Sequence, residues 1–463
     1  MQNSDSEQFS SLSLSPSQLK NLVALGYEKM TPIQAQSLPL VLAGKDVIAQ
    51  AKTGSGKTAA FGLGLLHHIE PRRFAIQTLI LCPTRELADQ VGKEIRRLAQ
   101  AIPNIKLVSL VGGKPFGPQK GSLIHGAHIA VGTPGRVLDH LRKGTLKLDQ
   151  LKTLVLDEAD RMLDMGFADD MQDIVAKTPK SRQTLLFSAT YPPEIKRISK
   201  AIQTNPVNVS VETEHQPGVI EQMFYEVKRH ERNGGLLALF EHYRPISCLV
   251  FCHTKIQCHE VASFLREQRI TALAIHGDLD QRERDQVLVQ FSNKSCPVLV
   301  GTDVAARGLD VKNLDTVINY ELPHDPEIYV HRIGRTGRAG EHGRALSLFT
   351  AAEQRRLNSI EEFTGEACIC DVPESLDRDT DYKLFADMVT LQINAGRKQK
   401  IRPGDLLGAI TGDAGVPGDC VGKIDIFDMH SYVAVHNSVL RKTLGYLTDG
   451  KVKGRSIKAR KIR

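Results

Sequence analysis

Ala51-Lys-Thr-Gly-Ser-Gly-Lys-Thr58 lies between the apolar run Asp46-Val-Ile-Ala-Gln50 and the helix-prone Ala59-Ala-Phe-Gly-Leu63. A strand, a glycine-rich turn and a helix start, in that order, build an anion cradle. The turn lets backbone N–H groups converge, and the helix N-terminus adds about half a positive charge. The pattern predicts a phosphate-binding loop made by Ala51, Lys52, Thr53, Gly54, Ser55 and Gly56. In such a loop Lys57 reaches the outer phosphates of a nucleotide and the Thr58 hydroxyl ligates magnesium. Ala51 stands where the usual G-x-x-x-x-G-K-[ST] pattern has its first glycine.

Upstream, a capping serine and apolar spacing predict a helix from Ser15 to about Gly26, followed by Thr31-Pro-Ile-Gln34. The Gln34 amide carries a donor and an acceptor that match the N6/N7 edge of adenine, and the Tyr27 ring is suited to stack on a base. Downstream, Thr78-Leu-Ile-Leu-Cys82, Leu107 to Val111, Ile129 to Val131, Thr153 to Leu156 and Gln183 to Phe187 alternate with helical stretches. Near-continuous apolar strands in βα alternation predict a parallel sheet covered on both faces, with functional loops at the strand C-termini. Pro83-Thr-Arg-Glu86, Asp157-Glu-Ala-Asp160 and Ser188-Ala-Thr190 all fall there. In the acidic pair, Asp157 is assigned to the metal and Glu158 to the attacking water.

A polar break at Glu212-Thr-Glu-His-Gln-Pro-Gly218 predicts a linker, after which the pattern restarts: Ile220 to Val227, Ser247 to Phe251, Ala272 to Ile275, Pro297 to Val300, Thr316 to Asn319, Ala345 to Phe349. This second parallel α/β domain has no phosphate loop; it carries His331-Arg-Ile-Gly-Arg-Thr-Gly-Arg338, whose guanidinium forks match phosphate oxygens. The whole chain of 463 residues is long enough for about three domains. Its charge is uneven: residues 388–463 hold 14 Lys/Arg against 6 Asp/Glu, and the rest is near neutral. A basic module on a neutral body is the electrostatic footprint of nucleic-acid binding. Eight cysteines without a C-x-x-C pair read as buried reduced thiols rather than disulfides or a zinc site. No apolar run approaches a membrane span and the N-terminus lacks signal-peptide character, so a cytoplasmic protein with no membrane partner is expected.

Taken together, the motifs in order resemble those of the DEAD-box RNA helicases of superfamily 2, over residues 9–350. The segment from Gly26-Tyr27 to Gln34 is similar to that family's adenine-reading motif, residues 51–58 to its motif I, which commonly begins with Ala, 157–160 to its name-giving motif and 188–190 to motif III. Val250-Phe-Cys-His-Thr254, residues 301–310 and the arginine run resemble motifs IV, V and VI. The resemblance implies two tandem RecA-like parallel-sheet domains, ATP and Mg2+ as cofactors, and RNA as partner. It implies Arg335 and Arg338 as γ-phosphate fingers, Asp310 at the ribose, and Ser188 and Thr190 as the coupling between ATP state and domain closure. It further implies an RNA path along Thr84, Arg85, Gly113, Thr133, Arg136, Gln281, Arg284 and Thr302.

Beyond the acidic stretch 371–381, the expected order βαββαβ in about 75 residues is that of an RNA-recognition motif, a small α+β domain. Its central strands offer Tyr432 and little else for stacking, with Leu391 and Ile393 at positions where an aromatic would stack, so Lys423, Arg455 and other basic residues are expected to meet a structured RNA. The expected division is 1–212, 213–372, an acidic linker 373–386 and 387–463. A core with this tail resembles the bacterial DbpA subgroup, which implies a hairpin of 23S ribosomal RNA in the assembling large (50S) subunit as the target; the alternative is a general RNA helicase or chaperone. No obligate protein partner is evident.

Overall fold

The computed structural model describes residues 8–51, 55–211, 220–306, 314–337 and 342–462. The chain divides into two compact units, Met1–His215 and Gln216–Arg463. In the first, strands β1 (Val47–Gln50), β2 (Thr78–Leu81), β3 (Leu107–Leu110), β4 (Ile129–Gly132), β5 (Thr153–Asp157), β6 (Gln183–Ser188) and β7 (Val207–Ser210) form one parallel sheet in the order β3-β4-β2-β5-β6-β1-β7. Successive side chains of a strand point to opposite faces. Val47, Ala49, Ile80, Val131, Val155, Leu185 and Phe187 therefore enter one apolar cluster, and Ile48, Leu79, Leu81, Ala130, Leu154 and Leu186 another. Both faces are buried, which is why these strands read as unbroken apolar runs. β7 does not; of its four residues only Val209 is buried, and this edge strand escaped the apolar pattern.

The second unit repeats the architecture with β8 (Ile220–Glu226), β9 (Cys248–Phe251), β10 (Ala272–Ile275), β11 (Val298–Gly301), β12 (Thr316–Asn319), β13 (Gly343–Phe349) and β14 (Cys370–Asp371), in the order β10-β11-β9-β12-β13-β8-β14. Five cysteines are buried, but Cys368 and Cys420 are half-buried and Cys370 is exposed, so the expectation of buried thiols holds for Cys82, Cys248, Cys252, Cys258 and Cys296 and not for the other three. The stretch 373–386 does not hang free. Arg378 pairs with Glu241 at 2.6 Å, Arg244 with Asp379 at 2.9 Å, and Leu384 bridges to Ile270.

The same unit ends in a four-stranded antiparallel sheet, β16-β17-β15-β20, from β15 (Met388–Ile393), β16 (Val421–Ile426), β17 (Ser431–His436) and β20 (Ala459–Lys461). The helices Pro403–Gly408 and Leu440–Asp449 connect them in the expected βαββαβ order. The predicted basic strand from Val452 to Ile462 is broken: a small hairpin, β18 (Lys451–Val452) with β19 (Arg455–Ser456), turns at Lys453-Gly454, both at positive φ. Leu391 and Ile393 point to the helix side of the sheet, into a core with Leu406, Ile410 and Leu447. The other face carries Thr390, Gln392, Tyr432 and Ile462, and it is covered. Tyr432 and Ile462 pack with Val289 of the helix Gln281–Ser292, Ser295 Oγ lies 2.7 Å from Thr390 Oγ1, and Lys423 Nζ donates to Ser292 Oγ at 3.1 Å. Tyr432→Ala, which empties a fully buried ring site, is expected to cost about 3 kcal/mol of the second unit's unfolding free energy in urea, as large-to-small core changes do.

Candidate nucleotide and RNA site

Because the sheet of the first unit is parallel, the C-termini of β1, β2, β5 and β6 open at one end. The functional segments follow them there. Ala51 N–H donates to Ser188 O at 3.0 Å, continuing the β1–β6 ladder into the loop. Lys57 opens the helix Lys57–His68; its ammonium is buried and donates to Ala51 O at 2.9 Å. Gly56 sits at φ 93, and a Cβ there would lie 2.4 Å from Gln34 Nε2. That nitrogen donates to Gly56 O at 3.0 Å, while Gln34 Oε1 accepts from Thr31 N–H at 2.9 Å. Thr31 Oγ1 donates to Ser55 O at 2.7 Å, so the Thr31–Gln34 segment is bonded directly to the loop. Thr31 was not singled out in the sequence, although Thr-Pro-x-Gln is a capping-box pattern. Tyr27 is half-buried; its hydroxyl donates to Glu94 at 2.6 Å and its ring meets Phe9 edge-on. Lys52, Thr53 and Gly54 lie outside the described residues, as do Asp310 and Arg338.

Asp157 ends β5 fully buried, and burial, offset in part by Lys57, pushes its carboxyl up to about 7. Its Oδ1 has no hydrogen-bond partner among the described residues. A buried, unpartnered carboxylate oxygen beside an anion cradle suits a divalent cation, which would replace the solvation that burial removes. Glu158 follows in left-handed backbone at φ 54, an uncommon conformation for a non-glycine residue that costs about 1–3 kcal/mol and clusters at functional sites. Asp160, given no role by spacing alone, is the hub of the Ser188–Thr190 segment. Its Oδ2 accepts from Ala189 N–H, Thr190 N–H and Thr190 Oγ1 at 3.1–3.2 Å, and its own N–H donates to Ser188 Oγ at 3.3 Å.

The residues expected along an RNA path follow strand C-termini, each within its own unit. Thr84 caps the helix Arg85–Leu98, accepting from Leu87 N–H at 3.2 Å. A Cβ on Gly112 would lie 3.2 Å from the Arg85 guanidinium, Gly113 is at φ 72, and Thr133 stands at the N-cap of the helix Pro134–Arg142 that carries Arg136. In the second unit, Gln281 and Arg284 open the helix Gln281–Ser292, and Thr302 follows β11. Arg284 donates to Ala305 O at 2.8 Å. The arginine run divides by environment. The helix Pro326–Ile333 ends before Arg335, so helical spacing does not align these arginines. Arg332 turns into the core, forking onto both oxygens of Asp303 at 2.7 and 2.8 Å and stacking on Phe251 at 4.9 Å. Arg335, nearly buried, follows that turn.

In the tail, Tyr432 does not fit the stacking role expected for it, because its ring is enclosed by Val289, Phe427, His430 and Ile462. Lys423 is half engaged, bonding Ser292 and Asp425. Arg455 is exposed and donates to Gln399 O at 3.3 Å, and Lys453 Nζ donates to Lys400 O at 3.2 Å. These two bonds lay the β18–β19 hairpin against Arg397-Lys-Gln-Lys400, so cations such as Lys400 and Lys453, 53 residues apart, share one basic edge. Gly56→Ala is expected to weaken nucleotide binding at least about tenfold in a titration with a fluorescent ATP analogue, since the new methyl displaces the Gln34 amide and strains the turn.

Comparison with known proteins agrees with this layout. The DEAD/DEAH box helicase family matches residues 31–198, the helicase conserved C-terminal domain residues 232–340, and the DbpA RNA binding domain residues 390–461. The chain is 52% identical over 456 residues to the ATP-dependent RNA helicase DbpA of Escherichia coli, covering 98% of this chain and 99% of that one. It is 38% identical to the Bacillus subtilis protein of the same name, again over 98% and 99%. Among solved structures, Saccharomyces cerevisiae Dbp5 bound to RNA and ADP BeF3 superposes with a TM-score of 0.72 at 32% identity, over 80% of this chain and 96% of that one. With two parallel sheets in tandem, a phosphate cradle facing an acidic pair, and an antiparallel tail domain, the chain belongs to the DEAD-box ATP-dependent RNA helicases of the DbpA type.

Proposed function

We propose that this helicase acts on a hairpin of 23S ribosomal RNA during assembly of the 50S subunit in the cytoplasm, and that its tail selects that RNA through the basic edge rather than the sheet face. The observation that carries the reading is the covered sheet. With Tyr432 enclosed, the exposed cations at Arg397, Lys398, Lys400, Lys451, Lys453 and Arg455 remain for phosphate contact. Fixed cations over a wide edge suit a folded RNA, whose phosphates hold set positions. The alternative, a general RNA helicase without a ribosomal target, predicts no such preference.

For the ATPase step, Lys57 binds the outer phosphates, Gln34 and Tyr27 hold the adenine and Asp310 the ribose. Thr58 and Asp157 would hold Mg2+, which when bound neutralises charge on the phosphates. Glu158 orients the attacking water and takes its proton. Arg335 and Arg338 act on the γ-phosphate, so that hydrolysis waits for domain closure on ATP and RNA together. Asp160, through Ser188 and Thr190, passes the nucleotide state to that closure. Thr84, Arg85, Gly113, Thr133, Arg136, Gln281, Arg284 and Thr302 hold the sugar-phosphate backbone, which gives affinity without sequence readout. Closing on one strand in a bent form expels its partner, and hydrolysis releases the product.

Glu158→Gln is expected to bind ATP and RNA as the parent does while steady-state phosphate release falls by at least about 10²-fold, the usual contribution of general base catalysis; parental turnover would remove Glu158 from the role. The triple change Lys451→Ala, Lys453→Ala, Arg455→Ala is expected to abolish the preference for a 23S hairpin over random-sequence RNA in stimulated ATPase assays, with the stimulation at saturating random RNA retained. A parent protein that shows no preference would instead support the general-helicase alternative.

A further inference from the structure

Phe116 and His140 do not belong to any of the motifs, yet they lie where two of the RNA-contacting elements of the first unit meet. The Phe116 ring, half-buried at the start of the helix Phe116–Ile124, stacks on the His140 imidazole with centroids 4.0 Å apart and planes 11° from parallel. Lys143 Nζ lies 4.3 Å from the Phe116 centroid and the Arg136 guanidinium 5.9 Å, within the range of cation–π attraction. His140 is fully buried on the helix Pro134–Arg142.

The hydrogen bonds around that ring run back to the glycine turn. Gln119 Nε2 donates to Val111 O at 3.0 Å, the residue immediately before Gly112-Gly113. This orients Gln119 Oε1 toward His140 Nε2, 3.2 Å away, and the other ring nitrogen, Nδ1, lies 2.8 Å from Thr145 Oγ1, whose hydroxyl donates to His140 O at 3.0 Å. Arg136 is held at three points: Nη1 donates to Lys114 O at 3.0 Å, Nε is 3.8 Å from Asp139, and the guanidinium lies beside the Phe116 ring. The turn 112–113 and Arg136 are therefore tied to one another through Phe116, Gln119 and His140 and not merely adjacent.

We infer that Phe116 and His140 are positioning residues, whose stack locks the Gly112-Gly113 turn and the Arg136 guanidinium into one geometry for gripping the RNA backbone. The inference rests on the reading that Gly113 and Arg136 contact RNA. A charge-assisted hydrogen bond to phosphate needs the donor fork aimed, and Arg136 has four side-chain torsions to fix; the stack and the Lys114 carbonyl remove that freedom before RNA arrives.

The test uses the full chain and RNA-stimulated ATPase, titrated with single-stranded RNA and separately with ATP. Phe116→Ala and His140→Leu are expected to raise the RNA concentration for half-maximal stimulation about tenfold, the equivalent of losing one aimed contact, with kcat at saturating RNA within about twofold and KM for ATP unchanged. Phe116→Tyr, which keeps the ring, is expected to restore the parental value, and Phe116→Leu serves where the alanine variant does not fold. Unchanged half-saturation in the folded variants, or equal changes for RNA and ATP, would overturn the inference. Arg136→Ala separates the two levels: if it weakens RNA and the Phe116 and His140 variants do not, the positioning role alone fails, whereas if Arg136→Ala has no effect, the RNA reading fails and the inference with it.

Discussion

Parallel pairing of β1, β6 and β5 is the constraint from which the ATP chemistry follows. Parallel strands in register bring their C-termini to one end, and the ladder Gln50–Ser188 and Leu156–Leu186 places the phosphate loop, the Ser188 segment and the acidic pair within a few residues of each other. Parallel sheets require crossovers of a dozen residues or more, so the phosphate loop at 51–58, the acidic pair at 157–158 and the segment 188–190 are far apart in sequence yet neighbours in the sheet. The apolar faces that hold the sheet together thus also set the geometry of the polar end.

That polar end is assembled from buried groups that rely on one another. Lys57 is buried and bonds a carbonyl of its own loop. Asp157 is buried with an oxygen that has no hydrogen-bond partner among the described residues, and Asp160 is spent on four contacts that bind the Ser188–Thr190 segment to the acidic turn. Buried polar groups cost free energy unless they are satisfied. A site with one satisfied and one unsatisfied carboxylate is therefore asymmetric: Asp160 stabilises the loop as it stands, and Asp157 Oδ1 is left without a hydrogen-bond partner among the described residues.

The tail reverses the usual use of a four-stranded α+β sheet. Its open face is a protein contact, centred on Tyr432 and Val289, and its exposed cations lie on a loop-and-hairpin edge. Burying an aromatic against a helix joins the tail to the second parallel-sheet domain. Contacts of the 373–386 stretch, Arg378 with Glu241 and Leu384 with Ile270 among them, hold the same connection from the other side.

Most of the fold was legible in the chain because both faces of each parallel sheet are buried, so twelve of the first fourteen strands read as short apolar runs between helical stretches. The exposed edge strand β7 and the two-residue β14 were not, since neither buries enough to leave a pattern. The phosphate loop, the acidic pair and Gln34 were legible because each is a local arrangement whose chemistry depends on neighbours a few residues away. Only the tertiary structure decided which arginine of a run is structural, since Arg332 is claimed by Asp303 across the sheet. It alone gave Asp160 its role, and it alone decided that Tyr432 faces a helix instead of a base. Each of those outcomes is a contact between residues far apart in sequence, and periodicity says which way a side chain points on its own element but not what will be waiting there.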